Sequence, residues 1–410
     1  MLRLNAYRLY LALGAVASFA FSMIFTILAV YYVQTVGMNP LQLVLVGTVL
    51  ELTIVLAEVP TGIVADAYSR RRSVVIGYAL IGVCYIAQGA VPRYLASLGA
   101  EVVRGLGETF ISGALDAWIA DEVGADRVGD AYLRYGQVSR IGSFAGIAVG
   151  TTLGALQLNA PIVLGGGLLL AISGLLAAAM PETGFRPAPR MVQPPWRTML
   201  DIAGDGFSVV RGRPVALMLV LVGVVFGAFS EGFDRLWEAH FLTTFTFPTW
   251  LALPPVVWIG LINAGGMLLG LAAAEVLIRR GEITGSRRLG PLLLANSAGL
   301  IVAILVFGLA PTFGVAVAAF WVVRVLRMLE HPITATWLNR HLPSRVRATV
   351  LSLLGQANAV GQVAGGPVVG AVGLRSLRSA LVFSGVILTP SLLLYGRGLR
   401  LENDEAPDAP

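Results

Sequence analysis

Hydrophobic residues run through this chain in long continuous stretches, without the alternation that marks an amphipathic strand or a transmembrane β-barrel. About 20 residues of helix cross the apolar part of a bilayer. Twelve stretches reach that length, and we predict a membrane-spanning helix in each. The predicted spans are 10–34, 41–65, 73–92, 95–119, 132–157, 159–180, 214–240, 252–278, 290–309, 312–338, 347–371 and 375–396.

The composition excludes several classes of protein. Of the 410 residues, 56% are hydrophobic and 13% are charged, whereas a soluble domain has about 25% charged residues. A chain with so little polar surface is not a soluble enzyme, a disordered chain or a coiled coil. The fold class predicted is therefore an all-α polytopic membrane protein.

The arginines indicate how the chain is oriented. All 29 basic residues are arginine, and they stand in short groups between apolar runs, which does not resemble a nucleic-acid-binding surface. On the twelve-span map only Arg93, Arg375 and Arg378 fall in the loops opposite to the rest. Since positive loops stay on the inside, we expect both termini in the cytoplasm and the protein in the inner or plasma membrane of the cell.

The chain divides into two halves around its longest connection. Residues 181–213 are Pro-rich at first and then amphipathic, and we expect a cytoplasmic linker with an interfacial helix. The predicted domains are a six-helix bundle at 1–180, a second six-helix bundle at 214–397 and a disordered acidic tail at 398–410.

An internal repeat supports this division. Val102-Val103-Arg104 returns as Val322-Val323-Arg324, an offset of 220 residues. At an offset of 219, Trp118 matches Trp337, Gly142 matches Gly361 and Gly146 matches Gly365. Such repeats are typical of transporters that bind their ligand near the midplane of the membrane.

A motif between spans two and three carries a family resemblance. Gly62, three further residues, Asp66 and the run Arg70–Arg72 resemble the signature of the major facilitator superfamily. The resemblance implies twelve helices in two pseudo-symmetric six-helix bundles, a transporter that works by alternating access, and a conformational latch formed by Gly62, Asp66, Arg70 and Arg71. The chemistry agrees, since Gly62 permits close helix approach and Asp66 can pair with an arginine. A simple turn with topology-setting arginines is the alternative.

Span four carries ionisable residues that need partners inside a membrane. Arg104-Gly105-Leu106-Gly107-Glu108 resembles the fourth-helix motif of the same superfamily. On a continuous helix, Glu101, Glu108, Ser112 and Asp116 share a face with Arg104. We predict an Arg104–Glu108 pair and a role for these groups in proton coupling. A purely structural ion pair is the alternative.

Other spans add candidate residues. Glu51 and Glu58 in span two are further candidates for proton coupling. Candidates for the substrate cavity are Glu231, Asp234, Arg235, Trp321 and Arg324, although a solvated rim explains the acidic residues of span seven equally well. Glu238 shares that face, and Arg327 and His331 share the face of Arg324. Trp118, Phe226, Trp237 and Trp321 are candidate stacking surfaces, with core packing as the alternative.

Small residues predict close helix packing in spans five and eleven. Gly142, Gly146, Gly150 and Gly154 recur every fourth position, and Gly365-Gly366-Pro367 stands in span eleven. Exporters of the superfamily have a Gly-rich fifth helix, so this resemblance implies export, with generic helix packing as the alternative.

Enzymatic chemistry has no visible motif. The single cysteine, Cys84, excludes a disulfide framework, and the three histidines lack the spacing of metal ligands. No nucleotide-binding loop is present, so we predict no cofactor and no metal. The function predicted is proton-coupled efflux of lipophilic or cationic small molecules by a monomer, resembling bacterial drug antiporters. The alternatives are a metabolite or siderophore exporter, an uptake symporter, and a non-transporting receptor.

Overall fold

The computed structural model describes residues 5–187, 197, 204, 210–279, 289–341 and 344–405, without the side chains of 277–278, 331, 339–341, 344–349 and 399–405. Within these ranges the chain forms fourteen α-helices. In chain order, α1 to α7 are Ala6–Tyr31, Pro40–Tyr68, Arg70–Ala90, Tyr94–Ile111, Ala114–Val123, Ala125–Leu156 and Ala160–Ala179. Helices α8 to α14 are Pro214–Thr244, Pro255–Arg279, Leu289–Leu309, Phe313–His341, Ser344–Gly373, Leu377–Ile387 and Pro390–Glu405.

The fourteen helices correspond to the twelve predicted spans, because two of the spans each consist of two shorter helices. The fourth consists of α4 and α5, which meet at Gly113 with φ of +55°, a conformation that favours glycine. The twelfth consists of α13 and α14, and Pro390 starts the second piece. Eight spans are long and apolar enough by composition to cross a membrane. The other four, α4 with α5, α6, α11 and α12, carry more charged or polar residues.

The structure differs from the sequence expectation at the C-terminus. The acidic tail was expected to be disordered from residue 398, but α14 continues to Glu405. Residues 406–410 lie outside the described residues, and so does most of the linker, including the segment in which we expect an interfacial helix.

The chain separates into two compact units. Unit 1 consists of Met1–Met38, Val49–Leu200 and Ala252–Gly260. Unit 2 consists of Asn39–Thr48, Asp201–Leu251 and Leu261–Pro410. The two short segments at the starts of α2 and α9 therefore group differently from the sequence-based boundaries of 1–180 and 214–397.

Glycines bring the first and fifth spans of unit 1 into backbone contact. A Cβ atom at Gly142 would meet the carbonyl of Ala15, and one at Gly146 would meet the carbonyl of Phe19. The other two glycines of this series, Gly150 and Gly154, face Met23 and Ile27 of α1, and we call the four together the glycine ridge. Side chains would separate these helices, so the ridge sets the distance between α1 and α6.

The corresponding helices of unit 2, α8 and α12, pack in the same register. Gly361 faces the carbonyl of Val224, and a Cβ atom at Gly365 would lie 2.5 Å from Cα of Ala228. These glycines stand 219 residues after Gly142 and Gly146. The sequence repeat is therefore also a repeat of helix packing.

Candidate functional site

Unit 1 contains a buried cluster around Arg104 of α4. Its Nε lies 3.0 Å from Oε2 of Glu101 and 3.3 Å from Oε1 of Glu108. The guanidinium also donates a hydrogen bond of 3.0 Å to the hydroxyl of Tyr85 and lies over the ring of Phe25, 5.5 Å from its centroid. One cation therefore serves two carboxylates.

The two carboxylates of this cluster have different surroundings. The Glu101 side chain is fully buried, and Oε1 accepts hydrogen bonds from Nε2 of Gln88 at 2.8 Å and from the hydroxyl of Tyr32 at 3.3 Å. The Glu108 side chain is 34% exposed and pairs with Arg104. Glu101 is therefore enclosed by hydrogen-bond donors, whereas the Glu108 side chain is partly exposed.

Asp116, which was expected on the same helical face, does not join this cluster. Because the fourth span breaks at Ser112–Gly113, Asp116 leaves the helical face of Arg104, contrary to the expectation for a continuous helix. Asp116 is exposed, and its carbonyl accepts a hydrogen bond from Tyr132 of α6. In α2, Glu51 is half-buried and Glu58 is exposed.

The signature motif surrounds Arg70 at the start of α3. Its guanidinium pairs with Asp66 at 3.5 Å and with Asp121 of α5. It also donates a hydrogen bond of 2.9 Å to the carbonyl of Ala117 and lies 5.8 Å from the ring centroid of Phe185. Arg70 thus connects α2, α5 and the first residues of the linker.

Two other members of the predicted latch differ in their contacts. The close approach expected at Gly62 is not found, because a Cβ atom there would meet nothing within 4 Å in the described part of the chain. Arg71 donates a hydrogen bond through Nη2 to the carbonyl of Ala177 in α7. Its contact is therefore with α7, whereas Arg70 pairs with residues of α2 and α5.

The first residues of the linker bind to unit 1, which the sequence did not predict. Glu182 accepts hydrogen bonds from the hydroxyl of Ser69 at 2.8 Å and from the backbone N–H of Arg71 at 3.0 Å. The Trp118 indole donates to the carbonyl of Pro181 at 2.6 Å. The start of α3 is capped by an acidic residue just beyond α7, as the helix dipole favours.

In unit 2, a buried ion pair lies on α8. Nε of Arg235 is 3.1 Å from Oε1 of Glu231, whose side chain is 3% exposed. A Cβ atom at Gly366 would lie 2.8 Å from Cγ of Glu231, and one at Gly47 would overlap the pair itself. Gly366 therefore makes room for Glu231 as well as packing on α8. Gly47 of α2 does the same, a role that no sequence pattern indicates.

A second ion pair joins α8 and α11. Asp234 accepts two hydrogen bonds from Arg327, one of them 2.8 Å between Nη2 and Oδ2. The Arg327 guanidinium also lies 5.5 Å from the ring centroid of Phe229. Bidentate pairing fixes the orientation of both groups. The sequence places Arg327 on the face of Arg324 but does not identify its partner Asp234, because pairing across helices is not visible in a sequence.

Trp321 of α11 packs against α9. Its indole donates to the carbonyl of Ile262 at 2.9 Å, and its ring lies against Gly265. Trp321 also lines an apolar groove of about 620 Å³ between α9 and α11. Arg324, half-buried one turn further along α11, lies beside Gly266.

Most of the other aromatic candidates belong to the packed core. Trp237 stacks on Phe320 with ring centroids 4.3 Å apart, and Phe226 and Trp237 are each 8% exposed. Trp118 is 1% exposed. These rings are therefore not free stacking surfaces, and the alternative reading as core packing is the correct one for them.

Comparison with known proteins identifies the family. The family model of the Major Facilitator Superfamily matches residues 10–366. A curated relative from Bacillus subtilis (strain 168), the uncharacterized MFS-type transporter YxaM, is 22% identical over 375 residues, or 91% of each chain.

Solved transporters share the fold at low identity. The nucleoside transporter NupG is 14% identical, with a TM-score of 0.74 over 96% of this chain and 99% of NupG. A peptide transporter POT in complex with sulfate is 16% identical, with a TM-score of 0.70 over 96% and 95% of the two chains. A bacterial homolog of the human lysosomal transporter Spinster is 15% identical, with a TM-score of 0.71 over 99% and 100%.

The family match covers most of the chain, and the twelve helical spans in two six-helix bundles agree with it. The protein belongs to the Major Facilitator Superfamily and is a multi-pass membrane transporter of small molecules, not an enzyme.

Proposed function

We propose that this transporter works by alternating access and exports lipophilic or cationic small molecules in exchange for protons, with both termini in the cytoplasm and as a monomer in the cell membrane. The observation that carries the proposal is the cluster of one guanidinium and two carboxylates at Arg104, Glu101 and Glu108. With both carboxylates ionised the cluster has one negative charge in excess. A proton or a cationic substrate neutralises that charge.

The proton acceptor in this proposal is Glu108. Glu101 already accepts hydrogen bonds from Gln88 and Tyr32 and is closed to water. Glu108 is 34% exposed and makes its ion pair with the shared guanidinium. Protonation of Glu108 therefore breaks fewer contacts than protonation of Glu101 would, which is why we assign the coupling role to Glu108.

Asp66, Arg70 and Arg71 act as the latch in this proposal. Gly62 belongs to the same motif, but in the part of the chain that the structure describes it leaves open space around its Cα and makes no close helix contact. Arg70 holds Asp66 and Asp121 at once. A change of access state that separates α2 from α5 has to break one of these pairs. Exposed ion pairs are weak, about 0–1 kcal/mol each, so they bias a conformational equilibrium without locking it.

The test uses purified protein in proteoliposomes loaded with a pH-sensitive dye. Tetraphenylphosphonium or ethidium added to one side should drive proton movement in the opposite direction. Glu108→Gln should abolish the proton signal while substrate-for-substrate exchange continues. Asp130→Asn, an exposed carboxylate of α6 paired loosely with Arg134, serves as the control and should keep both activities. Exchange without any proton movement in the unmodified protein would reject proton coupling.

A second candidate is uptake of a polar zwitterionic metabolite by proton symport. The charged pair Asp234–Arg327 and the Glu101–Arg104–Glu108 cluster favour it, because such a solute offers an ammonium group to carboxylates and a carboxylate to an arginine. Trp237 and Phe226 are buried in the core, so their rings are not available to stack on a lipophilic cation. In the same vesicles, polar metabolites would move together with protons, and lipophilic cations would produce no signal. Saturable binding without flux of any compound would instead indicate a receptor.

A further inference from the structure

A cavity of about 430 Å³ opens beside the first turn of α3, in unit 1. Its lining comes from the N-cap and first two turns of α3, from the end of α7, and from an acidic residue just beyond α7. The lining residues are Ser69, Arg71, Arg72, Val75, Ile76, Ala177 and Glu182. It is distinct from the ion pairs of the signature motif, because Arg70, Asp66 and Asp121 do not line it.

The lining changes from charged to apolar along the helix. Arg71 and Arg72 stand in the first turn of α3, and Val75 and Ile76 stand one turn further, about 6 Å deeper along the axis. Ile76 is 43% exposed, and Ala177 beside it is exposed as well. Since α3 spans the membrane, its charged first turn lies at the interface and the apolar part faces the lipid tails.

The polar groups of the cavity carry a net positive charge. Glu182 is occupied by the hydroxyl of Ser69 and the backbone N–H of Arg71. The backbone N–H of Arg72 donates to Ser69 at 3.0 Å. The donors left for a ligand are therefore the two guanidinium groups and not the backbone of the helix start.

Both arginines have capacity for an anion. Arg71 uses one N–H on the carbonyl of Ala177, out of the five that a guanidinium carries. Arg72 is exposed, and no residue within the described ranges accepts a hydrogen bond from its side chain. A phosphate group fits two such donors, because guanidinium groups bind phosphate through paired hydrogen bonds.

We propose that this cavity binds an anionic phospholipid, with the phosphate held by Arg71 and Arg72 and an acyl chain along Val75, Ile76 and Ala177. The occupant is a lipid and not a soluble anion because the charged and apolar parts of the lining are continuous and lie at a membrane boundary. The bound lipid ties the start of α3 to the end of α7, next to the residues that anchor the linker.

The experiment measures lipid binding to the full-length protein by native mass spectrometry, with phosphatidylglycerol and phosphatidylcholine of the same acyl chains. Phosphatidylglycerol should bind more tightly. Arg72→Gln should weaken its binding about fivefold, and Arg71→Gln with Arg72→Gln more strongly, in line with the usual contribution of an arginine near an anionic surface. Arg93→Gln is the matched control, since Arg93 is exposed beyond the opposite end of α3 and should not matter.

Two further arms separate the sources of the phosphate. Glycerol phosphate and inorganic phosphate, which have no tails, should fail to displace the bound phosphatidylglycerol at millimolar concentration. Displacement by either would overturn the lipid assignment in favour of a small-anion site. Equal binding of both lipids, unchanged binding in Arg72→Gln, or an equal loss in Arg93→Gln would also overturn it.

Discussion

Nε of Arg104 lies 3.0 Å from Oε2 of Glu101, and the two side chains are 4% and 0% exposed. This pair holds the charged cluster of unit 1 inside the helices that contribute Phe25, Gln88 and Tyr85. A buried charge without its partner is costly. The pair therefore links the stability of the unit to the group that we propose for proton coupling.

Replacement of Arg104 by alanine is expected to remove both transport and stability. It leaves Glu101 buried without its counter-ion, which costs about 3–5 kcal/mol. Thermal unfolding of the purified protein should show the loss directly. Combining Arg104→Ala with Glu101→Gln should recover much of the stability but not the transport. A single variant as stable as the unmodified protein would contradict the burial of this pair.

The sequence allowed the Arg104–Glu108 pair to be predicted, because both residues lie on one helix at a spacing of four. It did not identify Tyr32, Tyr85 and Gln88 as partners, because these residues come from other spans. The break at Gly113 was also missed, since a glycine in a membrane helix usually serves packing. That break moved Asp116 away from the cluster.

The fold was more predictable than the site. Continuous apolar stretches and the glycine ridge depend on short sequence intervals, and α1 to α14 follow the predicted spans closely. Contacts between distant spans have no such signature. The Asp234–Arg327 pair joins residues 93 positions apart, and Trp237, an apparent stacking candidate, packs on Phe320 in the core.

Gly150 provides a test of the helix packing in unit 1. A Cβ atom there would meet backbone atoms of Met23, so Gly150→Val should force α1 and α6 apart and lower both folded yield and transport. Gly136→Val is the matched control on the same helix, because a Cβ atom at Gly136 meets nothing within 4 Å in the described chain. Both variants carry the same cost in helix propensity. Folded yield from size-exclusion chromatography should separate them, and equal yields would show that the ridge is not a packing surface.

Asp66→Asn is expected to impair transport with little effect on folding. Its side chain is 56% exposed and lies 3.5 Å from Arg70, so loss of this ion pair costs at most about 1 kcal/mol of stability. If the pair biases the access states, transport should fall by up to about fivefold, equivalent to about 1 kcal/mol in that balance. Initial rates in proteoliposomes, at matched protein content, measure the effect. Asp130→Asn, an exposed carboxylate of α6 that has no role in the latch, is the control. Unimpaired transport in Asp66→Asn would reject the latch.

The Asp234–Arg327 pair can be tested by exchanging its charges. Asp234→Ala and Arg327→Ala each remove the bidentate pair between α8 and α11, and since the two side chains are 42% and 25% exposed, we expect each to destabilise unit 2 by at most about 1 kcal/mol. The double variant Asp234→Arg with Arg327→Asp restores the attraction in reverse, and thermal stability should return for the most part. Transport is the second readout. If the pair only holds the two helices together, the exchanged variant transports normally. If Arg327 binds the anionic part of a substrate, the exchanged variant is stable but inactive, because the positive charge now lies on α8 and has lost its place over the ring of Phe229.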